Sequence, residues 1–220
     1  MIEIIHEETA HLHPAQVAAL EALRSDVDTR TGMFRLTARA PLTADFASAR
    51  YLHLIMYDEG VAVGAVTVMR ADQSTVSASD HFAFMKRFTK FPFGADVLDI
   101  VEFIVTYPED EKVLLTHRVN ELLRALYEFA VEERSEYFIS ILKAPFFSTL
   151  LSMGLPVHAL SFPVKMGDEF VICVQIPIRE KELHALRRLA SCNMPRAEER
   201  ECTVPPAYSG GRTHALSAAH

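Results

Sequence analysis

The chain has 220 residues, half of them hydrophobic, with a formal charge of -7 and a pI near 5.8. That is enough for one well-buried domain, and the acidic balance excludes non-specific binding to nucleic acid or to an anionic membrane, which the net field would repel. The three cysteines, Cys173, Cys192 and Cys202, are odd in number, far apart and outside metal-ligand spacing, so neither a disulfide framework nor a zinc site is indicated.

The N-terminal residues carry no basic leader followed by an apolar run, and no stretch reaches the roughly 18 apolar residues of a membrane span. A reducing cytoplasm is the expected compartment. Residues 1–7 read as a strand. Pro14 stands where a helix can begin, and Val17, Leu20, Leu23 and Val27 recur at helical spacing, which leaves Glu21, Arg24 and Asp28 on the outer side. Residues 29–49, with Gly32 and Pro41, hold no sustained period and read as a long, functional connection.

Residues 51–57 and 61–69 are apolar, β-rich runs around Asp58-Glu59-Gly60, which predicts an antiparallel hairpin. Phe82, Phe84, Met85, Phe88, Phe91 and Phe93 follow, as either the wall of an apolar cavity or ordinary core. A strand over 97–105 leads through an acidic loop into the clearest helix, 113–133, with Leu115, Val119, Leu122, Leu123, Leu126, Phe129 and Ala130 on one side. Residues 137–142 predict a short buried strand, 146–153 a short helix stopped by Gly154, and 170–178 an alternating final strand after a hairpin. A mixed sheet with a parallel crossover through the long helix is expected. Residues 179–192 suit a last amphipathic helix, so the domain is expected over 1–192. The tail 193–220, with Pro205-Pro206 and Gly210-Gly211, has too little periodicity to pack.

The order of these elements resembles the GNAT N-acyltransferase fold, an α/β fold with a mixed sheet. Within it the chain is similar to the acyl-homoserine-lactone (autoinducer) synthase family and the related long-chain N-acyl amino acid synthases. The segments that carry the likeness are Leu122-Leu123-Arg124-Ala125-Leu126-Tyr127-Glu128-Phe129-Ala130, residues 137–141, Leu150-Leu151-Ser152-Met153-Gly154-Leu155-Pro156-Val157 and Met166-Gly167-Asp168-Glu169. The resemblance implies transfer of a medium or long acyl chain from a thioester to an amine.

On the amine side the family pattern departs. Its first-helix arginine is matched by Arg24, but its aromatic falls on Asp28 and its tryptophan near Phe34. One of its paired aspartates is matched by Asp45 and the other is Ser48; its third-strand arginine is Thr67; and its central-strand glutamate and arginine fall on Asp99 and Glu102 when Phe103 is aligned. Ser140 falls where the synthases often carry a threonine that senses the acyl chain; the other reading is a hydroxyl satisfied within the sheet.

Acyl transfer needs an apolar slot, donors for the thioester oxygen and a base for the ammonium proton. The donors of such a fold are backbone amides beside a bulged central strand, so side chains need not advertise them. Glu102 is the expected base and Asp99 the alternate, because a carboxylate desolvated in an apolar strand becomes more basic. Their odd spacing puts them on opposite faces of a regular strand. Arg24 and Asp45 are candidates to orient the amine, Arg70 to replace the missing cation, and Thr67, Phe103, Ile104 and Val105 to line the cleft. Phe82, Phe84, Leu122, Leu126, Leu142 and Phe146 are the candidates for the acyl pocket.

The loop Tyr107-Pro108-Glu109-Asp110-Glu111-Lys112 has three acids and no glycine, which disfavours the pyrophosphate of coenzyme A. An acyl carrier protein is therefore the expected donor, with acyl-CoA second, and Lys86, Arg87, Lys90, Arg118, Arg124 and Lys143 are candidates to dock its acidic surface. His11-Leu12-His13 is the only close histidine pair of metal-binding type, and no metal or permanently bound cofactor is expected. The rival readings are a catalytically silent acyl-binding module and a homoserine-lactone synthase with a diverged S-adenosylmethionine site.

Overall fold

A computed structural model describes residues 1–6, 13–29, 33–35, 51–73, 92–107, 112–166 and 168–192. In chain order these form β1 (Ile2–His6), α1 (Pro14–Thr29), β2 (Met33–Arg35), β3 (Tyr51–Asp58), β4 (Val61–Arg70), β5 (Val97–Thr106), α2 (Lys112–Glu132), β6 (Tyr137–Lys143), α3 (Ala144–Ser152), β7 (His158–Ala159), β8 (Val164–Met166), β9 (Glu169–Pro177) and α4 (Glu180–Cys192). The strands make one mixed sheet in the order β1-β3-β4-β5-β6-β9-β7, with β2 on β5 and β8 on β9.

The hairpin turns where Glu59 and Gly60 both take positive φ, 49° and 82°, the two-residue geometry whose twist suits antiparallel strands. β3 and β4 are buried on both faces, which is why their sequences run apolar rather than alternating. Leu20 and Leu23 of α1 pack on Ile55, Ala65 and Ile104. The other face carries α2, whose Leu122, Leu126 and Phe129 join Leu54, Val66, Phe103, Val105 and Leu142 in the main core, with Leu183 and Leu186 of α4 beside them. Gly64 admits α2 closely: a Cβ there would lie 3.0 Å from Met56 Cε, 3.3 Å from the Ile104 carbonyl and 3.4 Å from Leu122 Cδ2. α3 stops at Gly154, φ 79°, and the Leu155 amide donates back to the Leu150 carbonyl at 3.2 Å.

β5 is the axis of the sheet. β4 runs antiparallel along one edge. On the other, β6 pairs parallel only from Val97 to Ile100, the crossover passing through α2, and β2 pairs from Ile104 to Thr106. The stretch 29–49, expected without regular structure, thus supplies a strand. The Phe-rich segment lies outside the described residues apart from Phe93, which is 64 % exposed. The tail 193–220 and His11 also lie outside them.

One irregularity overturns an expectation. Thr67 pairs with Glu102 while the next residue, Val68, pairs with Ile100, so Val101 is an extra residue in β5. Such a bulge resets the alternation. Asp99 pairs with Met69 and Glu102 with Thr67, two positions apart on β4, so both carboxylates fall on the α1 face instead of opposite faces.

Candidate functional site

On the α1 face three strands place polar side chains in one lateral row. His53 of β3 pairs directly with Thr67 of β4, and Thr67 directly with Glu102 of β5. Arg24 drops onto the row from α1. The sequence reading sets Arg24 on the outer side of the helix, but it stands one turn after Leu20 and shares that buried stripe. All four side chains are buried.

Arg24 Nε donates to Glu102 Oε2 at 2.8 Å, and its Nη2 lies 2.8 Å from the same oxygen and 3.2 Å from Thr67 Oγ1. Thr67 Oγ1 is also 3.3 Å from Glu102 Oε2 and 3.0 Å from His53 Nδ1. The ring of Tyr51 stacks over His53 at 6.3 Å. Burial, reinforced by the Arg24 guanidinium, pushes the His53 pKa down to about 3, so the imidazole is neutral at physiological pH. Glu102 is therefore not the lone desolvated carboxylate that its sequence context suggests; a guanidinium matches its charge, and Thr67 and His53 stand beside the pair. Asp99, equally buried, lies on the same face toward the start of β5.

The remaining candidates are distributed otherwise. Ile104 faces α1 in the packing with Leu20, whereas Phe103 and Val105 point to the α2 core. Ser140 is buried, and its hydroxyl donates to the Ile100 carbonyl at 3.0 Å, at the last pair before β6 leaves β5. Leu122, Leu126 and Leu142 are fully buried in the main core, with Phe146 packed against it. Arg70 is not a substitute cation for the cluster: it points to the opposite face, donating to the Ala95 carbonyl and to Glu133, each at 2.6 Å. Asp45, Phe82, Phe84, Lys86, Arg87 and Lys90 lie outside the described residues.

The basic surface expected from Arg118, Arg124 and Lys143 is not open. Arg118 is buried and donates to the Thr106 carbonyl at 2.7 Å and to Asp58 at 2.5 Å, tying α2 to the sheet. Arg124 bridges Glu121 and Glu128 on its own helix, and Lys143 meets Glu169 at 2.6 Å. A groove of about 720 Å³ lies on this α2 face, floored by Ile2, Met56, Val63, Leu114 and Phe129. The sheet separates it from the Arg24 cluster.

Sequence reasoning missed His53. The available signal was one histidine inside the apolar run 51–57, a placement that burial tolerates only with a partner.

No family model matches the chain, and no curated protein matches it in sequence. Solved structures do match in fold. The AHL synthase LasI superposes with a TM-score of 0.69 at 13 % identity, over 84 % of this chain and 93 % of its own. The CoA-dependent acyl-homoserine lactone synthase BjaI, solved with MTA, gives 0.70 at 17 % identity, over 89 % and 90 %. MesI, another CoA-dependent acyl-homoserine lactone synthase, gives 0.69 at 16 %, over 87 % and 95 %. At these identities the likeness establishes the fold, the one the sequence pattern resembles.

Proposed function

We propose that the chain is an N-acyltransferase that moves a medium or long acyl chain from a thioester to an amine. The observation that carries this reading is the site's position: a buried Arg24–Glu102–Thr67 cluster beside the bulge at Val101, where β6 leaves the central strand. The fold shared with three acyl-homoserine lactone synthases supports it. In the reaction the amine nitrogen forms a bond to the thioester carbonyl carbon, the C–S bond breaks, the thiol leaves, and the ammonium proton passes to a base. A bulge turns backbone amides out of the strand ladder, and such amides can receive the developing oxyanion.

Glu102 and Asp99 are the carboxylates available to this chemistry. Glu102, fixed by Arg24 and Thr67, suits holding the ammonium in place, and Asp99 on the same face suits taking its proton. The acceptor is an amino acid or a homoserine-lactone-like amine. The donor is an acyl carrier protein thioester on the strength of the glycine-free acidic loop, with acyl-CoA as the alternative that the names of MesI and BjaI support.

The test incubates the protein with acyl carrier protein thioesters, acyl-CoA thioesters and a panel of amines, and seeks N-acyl products by mass spectrometry. Product that falls at least tenfold in Asp99→Asn supports the reading; no product from any pair overturns it. One observation favours a second reading, a silent acyl-binding module: the charge of Glu102 is already matched by Arg24. Acyl ligand retained without turnover marks that outcome, and calorimetric binding of S-adenosylmethionine marks a homoserine-lactone synthase.

A further inference from the structure

We propose that His53 is a positioning residue of this site, whose Nδ1–H fixes the Thr67 hydroxyl in the orientation that donates to Glu102. Its catalytic consequence rests on the acyl-transfer reading; its hydrogen-bond pattern does not.

The protons available at Thr67 decide the tautomer. Thr67 Oγ1 has one hydrogen and two lone pairs, and it has three neighbours: Arg24 Nη2 at 3.2 Å, Glu102 Oε2 at 3.3 Å and His53 Nδ1 at 3.0 Å. A guanidinium only donates, so Arg24 takes one lone pair. Glu102 Oε2, already receiving Arg24, is an acceptor, so the hydroxyl hydrogen goes to it. The remaining lone pair faces His53, and Nδ1 must supply the hydrogen. With the other tautomer a bare Nδ1 would draw the hydroxyl hydrogen to itself and leave two oxygens facing each other at 3.3 Å.

The fold builds this row rather than tolerating it. His53, Thr67 and Glu102 are consecutive partners across β3, β4 and β5, so their side chains meet without any loop having to close. Among the described residues, the groups facing the imidazole include Arg24 from α1, Thr67 from β4 and Tyr51 from its own strand, with Glu102 and Asp99 of β5 beyond. Its neutrality follows from burial and from the guanidinium. A neutral donor suits the task, because an imidazolium there would compete with Arg24 for Glu102.

Nitrogen-15 spectra of histidine-labelled wild-type protein test the tautomer without any assay of activity. The expected result is a protonated Nδ1 and a bare Nε2 that persist from about pH 5 to about pH 8. A protonated Nε2 with a bare Nδ1, or a ring that titrates near neutrality, overturns the proposal. Failure here is distinct from failure of the acyl-transfer reading, which appears only as absent product.

With activity in hand, His53→Leu is expected to lower kcat about tenfold, the size of one lost hydrogen bond, with KM for the thioester unchanged. His53→Asn, which can present an N–H close to the Nδ1 position, is expected to recover most of the loss. Because His53 acts through Thr67, the double variant His53→Leu/Thr67→Val should be no worse than Thr67→Val. Additive losses overturn the positioning role. If His53→Leu does not fold, the spectra and His53→Asn decide.

Discussion

Arg24 and Glu102 form a buried ion pair, and their effect on stability depends on what replaces them. Removing one partner leaves an uncompensated charge, so Arg24→Met is expected to cost about 3–5 kcal/mol in urea denaturation. Replacing both, as Arg24→Met/Glu102→Leu, should cost less than the single change, because neither desolvated charge then remains. His53 gives the pH counterpart. Its folded pKa, about 3, lies below the unfolded value of 6.5, so between those values the unfolded chain binds the extra proton. The contribution is fully present above pH 6.5 and is lost as pH falls toward 3, at up to about 1.4 kcal/mol per pH unit. Denaturation across that window should show a slope that His53→Asn reduces. A slope unchanged by the substitution would contradict the buried, neutral ring.

At the scale of elements, bulges and close approaches decide which side chains meet. The hairpin turn alone pairs Asp58 with Val61, and a regular ladder continued from it would set His53 opposite Val66. An extra residue at Val63 shifts the register, so His53 meets Thr67. The bulge at Val101 does the same for Glu102. Both are irregularities that periodicity cannot reveal, since a pattern of apolar residues buried on both faces reads identically in either register. Gly64 tests the contact between α2 and the sheet. Met56 Cε can swing away from an added methyl, but the Ile104 carbonyl cannot, so Gly64→Ala is expected to destabilise by about 1–3 kcal/mol in thermal or urea unfolding. Arg118 works at the same scale: it joins α2 to the end of β5 through the Thr106 carbonyl, a structural tie that its sequence context on an amphipathic helix does not distinguish from a surface charge.

For the molecule as a whole, the sheet divides two chemistries. The α1 face holds the polar row, and the α2 face holds the main core and the 720 Å³ groove. Among the described residues no helix is long and apolar enough to cross a membrane. Arg118 and Arg124, the candidate docking cations on the α2 side, are already paired with acids of the same chain, and Lys143, at the end of β6, is paired with Glu169. Arg124→Ala and Lys143→Ala are therefore expected to change KM for an acyl carrier protein thioester by less than about twofold, a difference of under ~0.4 kcal/mol. A tenfold rise for either variant would show that the pairs open for docking.

The order of elements apart from β2, the amphipathic face of α2, the hairpin and the parallel crossover were determined by the sequence itself, because apolar periodicity and turn chemistry are local. Glu102, Asp99, Arg24 and Thr67 could be singled out as polar residues on those elements. What only the tertiary structure decided is their company. Arg24 lies inside because of its place on the Leu20 stripe; Asp99 and Glu102 share a face because Val101 is bulged; His53 enters because a second bulge sets it opposite Thr67. The physical reason is the same each time: a one-residue shift in a ladder reverses which face a side chain takes, and its cost is set by packing from elements distant in sequence.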